Sequence, residues 1–291
     1  MNKKYISVLL WVLAFFLTVA VVFYQRMTGP TYPIKGSELI NGKEISFKML
    51  RSHTSMELLP VKVTIADEEV SGSVKYRRYK SGDDWTGLEM KREGDVLIAE
   101  LPGEPSAGKI EYSVMLTYGE EQLILNNGKT IIARFKDSVP NAFLFAHIIF
   151  MILSFLFAIR TGLEVLRKNG NYIWMVNWTL GIVFIGGMIL GPIVQKYAFG
   201  DFWTGIPFGT DLTDNKTLFA LIFWLAAFFL KRKSKWWVFT ATVMMIIIYL
   251  IPHSALGSEL DYSTGKMKNK YSKVLILPDN NGNDDGRCMI I

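Results

Sequence analysis

The chain of 291 residues contains a single cysteine, Cys288, and only three histidines. One cysteine excludes an internal disulfide, so a domain in an oxidising compartment would have to be held together by its hydrophobic core. Charged residues make up only 20% of the sequence, and half of all residues are apolar. The sequence also lacks a nucleophile triad, a cluster of metal-ligand residues and a glycine-rich phosphate loop. The composition therefore predicts a membrane protein and leaves its chemistry open.

The first apolar segment predicts an uncleaved signal anchor over residues 1–27. Tyr5–Tyr24 is an apolar run that follows Lys3 and Lys4, and it is long enough to cross a bilayer at 1.5 Å per residue. The run ends in Val21–Gln25, a stretch without the small residues that a signal peptidase recognises. We therefore expect this segment to remain in the protein as a helix.

Four further apolar segments predict a four-helix transmembrane bundle over residues 140–253. These segments are Asn141–Ile159, Tyr172–Ile193, Leu218–Leu230 and Trp236–Ile251. The last two are short, and they can span if their ends lie in the interface and the bilayer thins locally. A re-entrant pair is the alternative for these two segments. Five spans in total are the preferred interpretation.

The basic residues of the short connections predict the orientation of the chain in a bacterial inner membrane. If the spans alternate, three basic clusters fall on one side, which the positive-inside rule assigns to the cytoplasm. The N-terminus is then cytoplasmic, and residues 33–139, the structured outer loop 198–217 and the polar tail 254–291 are periplasmic. Within the tail, Val274–Leu277 has the composition of a short strand that could dock on a sheet edge. The clusters are Lys3 and Lys4; Arg160, Arg167 and Lys168; and Lys231, Arg232, Lys233 and Lys235.

Residues 33–139 have the alternating pattern of antiparallel β-strands. Short runs place an apolar residue at every second position, and turn sequences such as Asn41-Gly42 and Asn127-Gly128 separate them. About seven strands fit into this length, which predicts an all-β sandwich inserted between the anchor and the bundle. The alternating apolar residues are Ile45, Phe47 and Met49; Val61, Val63 and Ile65; Val74 and Tyr76; and Ile110, Tyr112, Val114 and Leu116.

The same region resembles fibronectin type III and related Ig-like modules. The residues that carry the resemblance are Val74–Arg78, Trp85, Met90, Ile98, the Leu101-Pro102-Gly103 turn and the tyrosine-bearing stretch Gly108–Val114. In such modules a strand pair ends in a short proline-containing turn and continues on a tyrosine-bearing strand. The resemblance covers about a third of the chain, and it implies an Ig-like sandwich without implying a ligand.

Two sets of residues on the outward half could carry chemistry. His147 in the second span and His253 beyond the fifth could together ligate a b-type haem, and ordinary hydrogen-bonded histidines are the alternative. A second set could gather at one outer mouth, where its carboxylates could hold a divalent ion or steer a cation: Asp211, Asp214, Lys216, His253, Glu259 and Asp261. The alternative for Asp211 or Asp214 is to cap the helix that follows.

The third span carries residues suited to close helix packing. Gly187 and Gly191 have the small-residue spacing that lets two helices approach each other, and Asn177 could hydrogen-bond a neighbouring helix, His147 included. Pro192 is expected to end or kink this helix. These residues predict a packed bundle.

Three functions remain open, and none of them is supported by a set of catalytic residues. The preferred hypothesis is a structural or assembly subunit of an envelope complex that uses the Ig-like domain as its partner-binding surface. The alternatives are a b-haem or quinone-linked electron-transfer subunit and an ion or small-solute carrier. The expected partners are the lipid bilayer and membrane or periplasmic proteins. Nucleic acid is not expected, because membrane topology accounts for the positive charge.

Overall fold

The computed structural model describes residues 3–252, 257, 259–263 and 265–267. The helical stretches among these residues extend beyond the predicted apolar segments at half of their ends, because polar residues there continue the helical hydrogen bonding. A π-helical segment, Phe184–Leu190, joins α3 to α4 without a break. The helices are α1 Lys3–Thr28, α2 Asn141–Leu166, α3 Ile173–Val183, α4 Gly191–Phe199, α5 Leu212–Leu230 and α6 Trp236–Leu250.

Eleven strands between α1 and α2 form the β domain. They number more than the seven predicted, because β3, β6, β7 and β10 have only three or four residues, too few to show alternation. A further short hairpin, β12 Leu260–Asp261 and β13 Lys266–Met267, follows α6. The eleven strands are β1 Ile34–Ile40, β2 Lys43–Met49, β3 Ser52–Thr54, β4 Leu59–Thr64, β5 Ser71–Arg78, β6 Thr86–Glu89, β7 Lys91–Glu93, β8 Val96–Leu101, β9 Lys109–Tyr118, β10 Glu121–Ile124 and β11 Ile131–Lys136.

The β domain consists of two sheets around one hydrophobic core. One sheet has the order β1-β2-β4-β8-β7, and the other has the order β3-β11-β9-β5-β6 with β10 paired to β9. All described pairings are antiparallel except that of β3 with β11. Strand β9 illustrates the alternation: Ile110, Tyr112, Val114 and Leu116 are buried, and their neighbours are less so. The buried Tyr112 hydroxyl donates to the Leu50 carbonyl, 2.8 Å away, which satisfies both groups inside the core.

The helices pack into one bundle. Among the described residues, the chain has four helical stretches that are long and apolar enough to cross a membrane: residues 4–28, 141–166, 173–199 and 212–230. Helix α6 is apolar but has only 15 residues. A single buried cluster joins Ala14 of α1, Phe155 of α2, Trp224 of α5 and Met245 of α6.

A buried ion-pair network connects α1 to the end of α2. Arg160, which is 1% exposed, lies 2.7 Å from the Glu164 carboxylate, and Arg167 lies 2.8 Å from the same carboxylate. Arg160 also donates to the Ser7 hydroxyl and stacks 5.4 Å from the centre of the Trp11 ring. A buried arginine needs such partners, because an isolated charge is strongly disfavoured away from water.

Pro192 was expected to end or kink the helix, and the helical stretch continues through this residue, so it does not end the helix. It lies at the start of α4, where the residue needs no backbone N–H donor, and the π-helical segment immediately precedes it. The Gly191 N–H donates to the Gly186 carbonyl five residues earlier, the spacing of a π-helix. The wider turn accommodates proline, so one continuous helical stretch runs from Ile173 to Phe199.

Close packing of α5 against the π-helical segment depends on Gly187. A Cβ atom at this position would lie 2.5 Å from Cγ2 of Thr217 on α5, closer than two carbon atoms can approach. Gly181 lies on the same helical stretch but is exposed, and a Cβ atom there would meet nothing within 4 Å. The two glycines therefore form a matched pair for testing the contact.

We expect Gly187→Ala to destabilise the bundle by about 1 to 3 kcal/mol, because the added methyl overpacks the contact with Thr217. Gly181→Ala should cause no loss. Thr217→Ser removes the opposing methyl group, so the double variant Gly187→Ala/Thr217→Ser should recover most of the stability. The measurement is the thermal unfolding midpoint of full-length protein in detergent. Equal midpoints for the two single glycine variants would contradict the packing role of Gly187.

Candidate functional site

The candidate site is the junction between the β domain and the outer ends of the helices. Arg134 on β11 is only 8% exposed, and its guanidinium carbon lies 4.1 Å from the centre of the Phe199 ring, at the end of α4. Three residues later, the Asp137 N–H donates to the Ala198 carbonyl at 3.0 Å. The β domain therefore sits directly on the end of α4.

Carboxylates from two other segments stabilise the buried charge of Arg134. Burial lowers the pKa of Arg134 to about 10, and the charges of Asp211 and Glu259 act in the opposite direction. The side chain therefore stays protonated at neutral pH. Gly257 lies against it, since a Cβ atom there would be 2.8 Å from Nη1 of Arg134. The outer loop, the segment after α6 and the β domain thus converge on one guanidinium group.

The segment after α6 returns to the β domain; we name its described residues 257 and 259–263 the strap. The Glu259 carboxylate accepts hydrogen bonds from Lys109 at 2.9 Å and from Lys80 at 3.1 Å. The Leu260 N–H donates to the Ala107 carbonyl at 3.2 Å. The Tyr262 hydroxyl accepts from the Lys109 N–H and donates to the Lys109 carbonyl. The strap is therefore anchored by both charge and backbone hydrogen bonds.

A cavity of about 340 Å³ lies between the strap and the β5–β6 turn. Basic side chains line it, and each has an acidic or aromatic neighbour. Arg78 bonds Asp83 at 2.5 Å and stacks 5.0 Å from the centre of the Tyr262 ring, and Lys80 and Lys109 share Glu259. The cavity is therefore polar, and the acidic residues of its lining partly neutralise the charge of the basic ones.

The pKa values of these groups follow from their partial burial and mutual charge. Burial acts to raise the pKa of Glu259, but hydrogen bonds and charge from Lys109 and Lys80 outweigh it and lower the pKa below its usual range. Burial lowers the pKa of Lys109, with Glu259 opposing the change. Burial also raises the pKa of Tyr262 to about 12, so this hydroxyl stays protonated as a donor.

The outer loop is held by its own aspartates. Asp211 caps α5 and accepts from the Thr213 N–H at 2.7 Å. Asp214 accepts from the Thr204 N–H at 2.6 Å, the Thr204 hydroxyl at 3.1 Å and Gln195 at 3.0 Å. Asp211 therefore connects the loop to the start of α5, and Asp214 connects it to α4 through Gln195.

The four predicted metal ligands do not meet at one point in the structure. Asp211 and Asp214 belong to the outer loop. Glu259 accepts from Lys80 and Lys109 of the β domain, and Asp261 accepts from the N–H and hydroxyl of Ser263. No group of three or more histidine, cysteine, aspartate or glutamate side chains suited to a metal ion occurs among the residues that the structure describes. The metal site and the carrier function stay predictions.

Of the two predicted haem ligands only His147 can be described, because His253 lies outside the described residues. Nδ1 of His147 lies 2.9 Å from the Gly186 carbonyl in the π-helical segment. A carbonyl oxygen can only accept, so Nδ1 carries a proton, and in the neutral ring Nε2 is the nitrogen with the lone pair. Gly191 lies beside the ring, since a Cβ atom there would be 3.6 Å from Cε1.

Asn177 and Arg134 show where sequence reasoning was incomplete. Asn177 bonds Lys231 of the loop after α5, and not His147.

The sequence analysis did not identify Arg134, although an arginine three residues before the Asp137–Pro140 connection to α2 was a visible signal. Its position in a strand with buried Ala133 and Phe135 gives it little access to water. Such a charge calls for partners from another element.

Strand β6 forms an open edge of the second sheet. The Met90 N–H donates to the Gly72 carbonyl of β5. Because backbone groups at alternate positions of a strand point the same way, the N–H and C=O groups of Leu88 and Thr86 also face β5. The backbone groups of Gly87 and Glu89 therefore point away from β5, and no described strand pairs with them. All four residues of β6 are exposed, and Trp85 beside them stacks with Arg77.

We expect Glu259→Gln to loosen the strap, because the variant loses the charge that bonds Lys80 and Lys109. A loss of about 1 to 2 kcal/mol would lower the protection of the Leu260 amide about five- to thirty-fold. Hydrogen–deuterium exchange of full-length protein in detergent at pH 7 measures this. Glu57→Gln is the control, because Glu57 is exposed and lies 3.8 Å from His53. Equal protection in wild type and Glu259→Gln would contradict the role of the charge.

The same comparison should depend on pH. The folded-state pKa of Glu259 lies below its ordinary value. Its contribution is therefore complete above the ordinary value, about 4.3, and is lost as the pH falls through the lower folded-state value. The difference in protection between wild type and Glu259→Gln should be full at pH 7 and should disappear in stronger acid. A difference that persists at pH 2 would contradict this assignment.

Neither a protein-family model, nor a curated protein, nor a solved structure matches this chain. The resemblance to Ig-like modules accordingly stays a prediction. The junction, the outer loop, His147 and the β6 edge are the features from which a function can be inferred.

Proposed function

We propose that this chain is an integral protein of a bacterial inner membrane that presents an Ig-like periplasmic domain to a protein partner, as a structural or assembly subunit of an envelope complex. In this proposal five helical segments cross the bilayer: α1, α2, the stretch from α3 to α4, α5 and α6. The N-terminus is cytoplasmic, and the β domain and the C-terminus are periplasmic.

The helix lengths and the basic residues support this topology. Four stretches have the length and composition to span. Helix α6 has 15 residues and is about 22 Å long, so its span requires a thinned bilayer and interfacial residues at its ends. Trp236 and Trp237 lie exposed at its start, where aromatic residues favour the headgroup region. The basic clusters of the connections fall on one side of this arrangement.

The observation that carries the partner-binding function is the open edge of β6. Natural sheets protect their edges with charge, proline, a bulge or a covering segment, because unpaired backbone groups attract another strand. On β6 the outward backbone groups belong to Gly87, which has open space around it, and to Glu89. The exposed apolar side chains of Trp85 and Leu88 flank them. An extended segment of a partner protein could pair here and bury these side chains.

We expect Gly87→Pro to abolish partner association, because proline removes the outward N–H that the added strand would need. Gly87→Ala keeps this N–H and places its methyl group in open space, so it should leave association unchanged. The measurement is quantitative mass spectrometry of proteins cross-linked to the full-length chain in native membranes, with unfolding midpoints to verify that both variants fold.

Deletion of residues 33–139 supplies the second arm of this test. The shortened protein should stay in the membrane fraction and lose the partners that Gly87→Pro loses. If the deletion leaves the set of cross-linked proteins unchanged, the β domain is not the partner-binding surface. If only the deletion has an effect, partners bind another face of the domain.

Fusions to topology reporters test the threading of the chain. Alkaline phosphatase fused after Val139 or after Ile291 should be active, because both ends are proposed to be periplasmic. Fused after Ser234, between α5 and α6, it should be inactive, and green fluorescent protein at this point should fluoresce. An inactive phosphatase after Ile291 would contradict five spans and favour a re-entrant α5–α6 pair.

The geometry of His147 favours a second candidate, an electron-transfer or quinone-linked subunit that binds a b-type haem. The hydrogen bond from Nδ1 to the Gly186 carbonyl orients the ring and leaves Nε2 available, as in many metal-ligating histidines. Protein purified in detergent should then show a Soret band that His147→Ala removes. A colourless wild-type preparation, made with haem supplied during expression, would contradict this candidate.

A further inference from the structure

The turn from Ser55 to Leu58 lies close to the outer ends of the helices. The Ser55 N–H donates to the Lys136 carbonyl at 3.0 Å, and the Ser55 hydroxyl donates to Asp137. Asp137 in turn donates its N–H to Ala198, next to the end of a helical stretch that can span. Two hydrogen bonds through Asp137 therefore connect the turn to the end of α4.

Apolar side chains project from this turn into the surroundings. Met56 is 74% exposed and Leu58 is 55% exposed, although both precede the buried Leu59 of β4. The backbone of the turn is well held: the Met56 N–H donates to the Glu104 carbonyl, and Gly103 packs directly against Glu57. Met56 has a φ of 62°, a left-handed conformation that favours glycine, yet the residue is a large apolar one.

Charges of both signs lie at the turn: Lys136 pairs with Thr54 beside it, and the Glu57 carboxylate within it is 62% exposed. Lys136 and Arg26, the latter in the last turn of α1, are both exposed. Partial desolvation, and then the charges of Arg134 and Arg26, lower the pKa of Lys136, so each of the two arginines lies within electrostatic range of Lys136. Lipid phosphates carry the complementary charge. A headgroup region of roughly 5 to 8 Å covers each side of the hydrocarbon core, and the proposed topology places the end of α4, to which the turn is connected, on this outer side.

We propose that the Ser55–Leu58 turn is a lipid-contact site, at which Met56 and Leu58 insert into the outer headgroup region while Lys136 and Arg26 face lipid phosphates. This inference rests on the proposed membrane insertion of the helices. It assigns the membrane-proximal end of the β domain to lipid and leaves the β6 edge to a protein partner. Apolar side chains flanked by cations are the combination that binds membrane surfaces.

Environment-sensitive labels on single cysteines test the proposal in the full-length protein. Cys288→Ser removes the only native cysteine. Met56→Cys and Leu58→Cys report on the turn, and Leu39→Cys is the matched control at the opposite end of the β domain, where the native side chain is 64% exposed. Phe16→Cys in the middle of α1 reports on membrane insertion. Each variant is labelled with bimane and reconstituted into nanodiscs of phosphatidylcholine and phosphatidylglycerol.

Lipids that carry a nitroxide at the headgroup should quench positions 56 and 58 several-fold more than position 39. Aqueous iodide should quench position 39 more than either position of the turn. The proposal is overturned if iodide quenches positions 39, 56 and 58 equally and the lipid quencher distinguishes none of them, while a nitroxide deep in the acyl chains quenches position 16. If position 16 also escapes the deep quencher, membrane insertion itself has failed, and the proposed function fails with it.

Lipid charge provides an independent readout. Nanodiscs of phosphatidylcholine alone should show weaker quenching at position 56 than nanodiscs that also contain phosphatidylglycerol. Lys136→Gln, combined with Met56→Cys, should reduce the difference between the two lipid compositions. A lipid-charge effect that Lys136→Gln leaves unchanged would overturn the role of this lysine in binding phosphate.

Discussion

The arrangement of the whole protein depends on one buried charge, the guanidinium group of Arg134. A buried cation is stable only if other groups compensate for the water it has lost. Here the Phe199 ring comes from α4, Asp211 contributes its charge from the outer loop, and Glu259 does so from the strap. The Phe199 ring lies directly against this side chain, and the charges of the outer loop and of the strap act on it, so three separate parts of the chain contribute to its stability.

This constraint also decides which surfaces of the β domain remain available. The strap covers the region of Lys80 and Lys109, and the end of α4 covers Asp137. The Ser55–Leu58 turn is left at the level of the helix ends, and β6 is left as a lateral edge. The contacts of Arg134, Asp137 and the strap hold the β domain in one position relative to the helices. In the proposed function this position keeps one surface of the domain at the membrane and turns another towards a partner.

The interior of the helical bundle is packed with side chains from several helices. Polar side chains inside it bond to neighbouring helices: Thr242 donates to the Ala158 carbonyl, and Tyr249 donates to the Met151 carbonyl. Gly187 lets α5 approach the π-helical segment so closely that a methyl group would not fit. Interhelical hydrogen bonds, and the close approach that small residues allow, can stabilise helix packing without the hydrophobic effect.

The sequence alone determined the elements, and the tertiary structure decided how they meet. Apolar runs and alternation are local patterns, so they located the helices and the longer strands such as β9, but three-residue strands such as β3 left no pattern. The capping role of Asp211 was foreseeable as one of two alternatives, because a cap depends on adjacent residues. The contacts of Arg134 with Phe199 and of Glu259 with Lys109 join residues 65 and 150 positions apart. No local pattern encodes such pairs, because they arise only when the chain folds back and buries a charge that must find a partner.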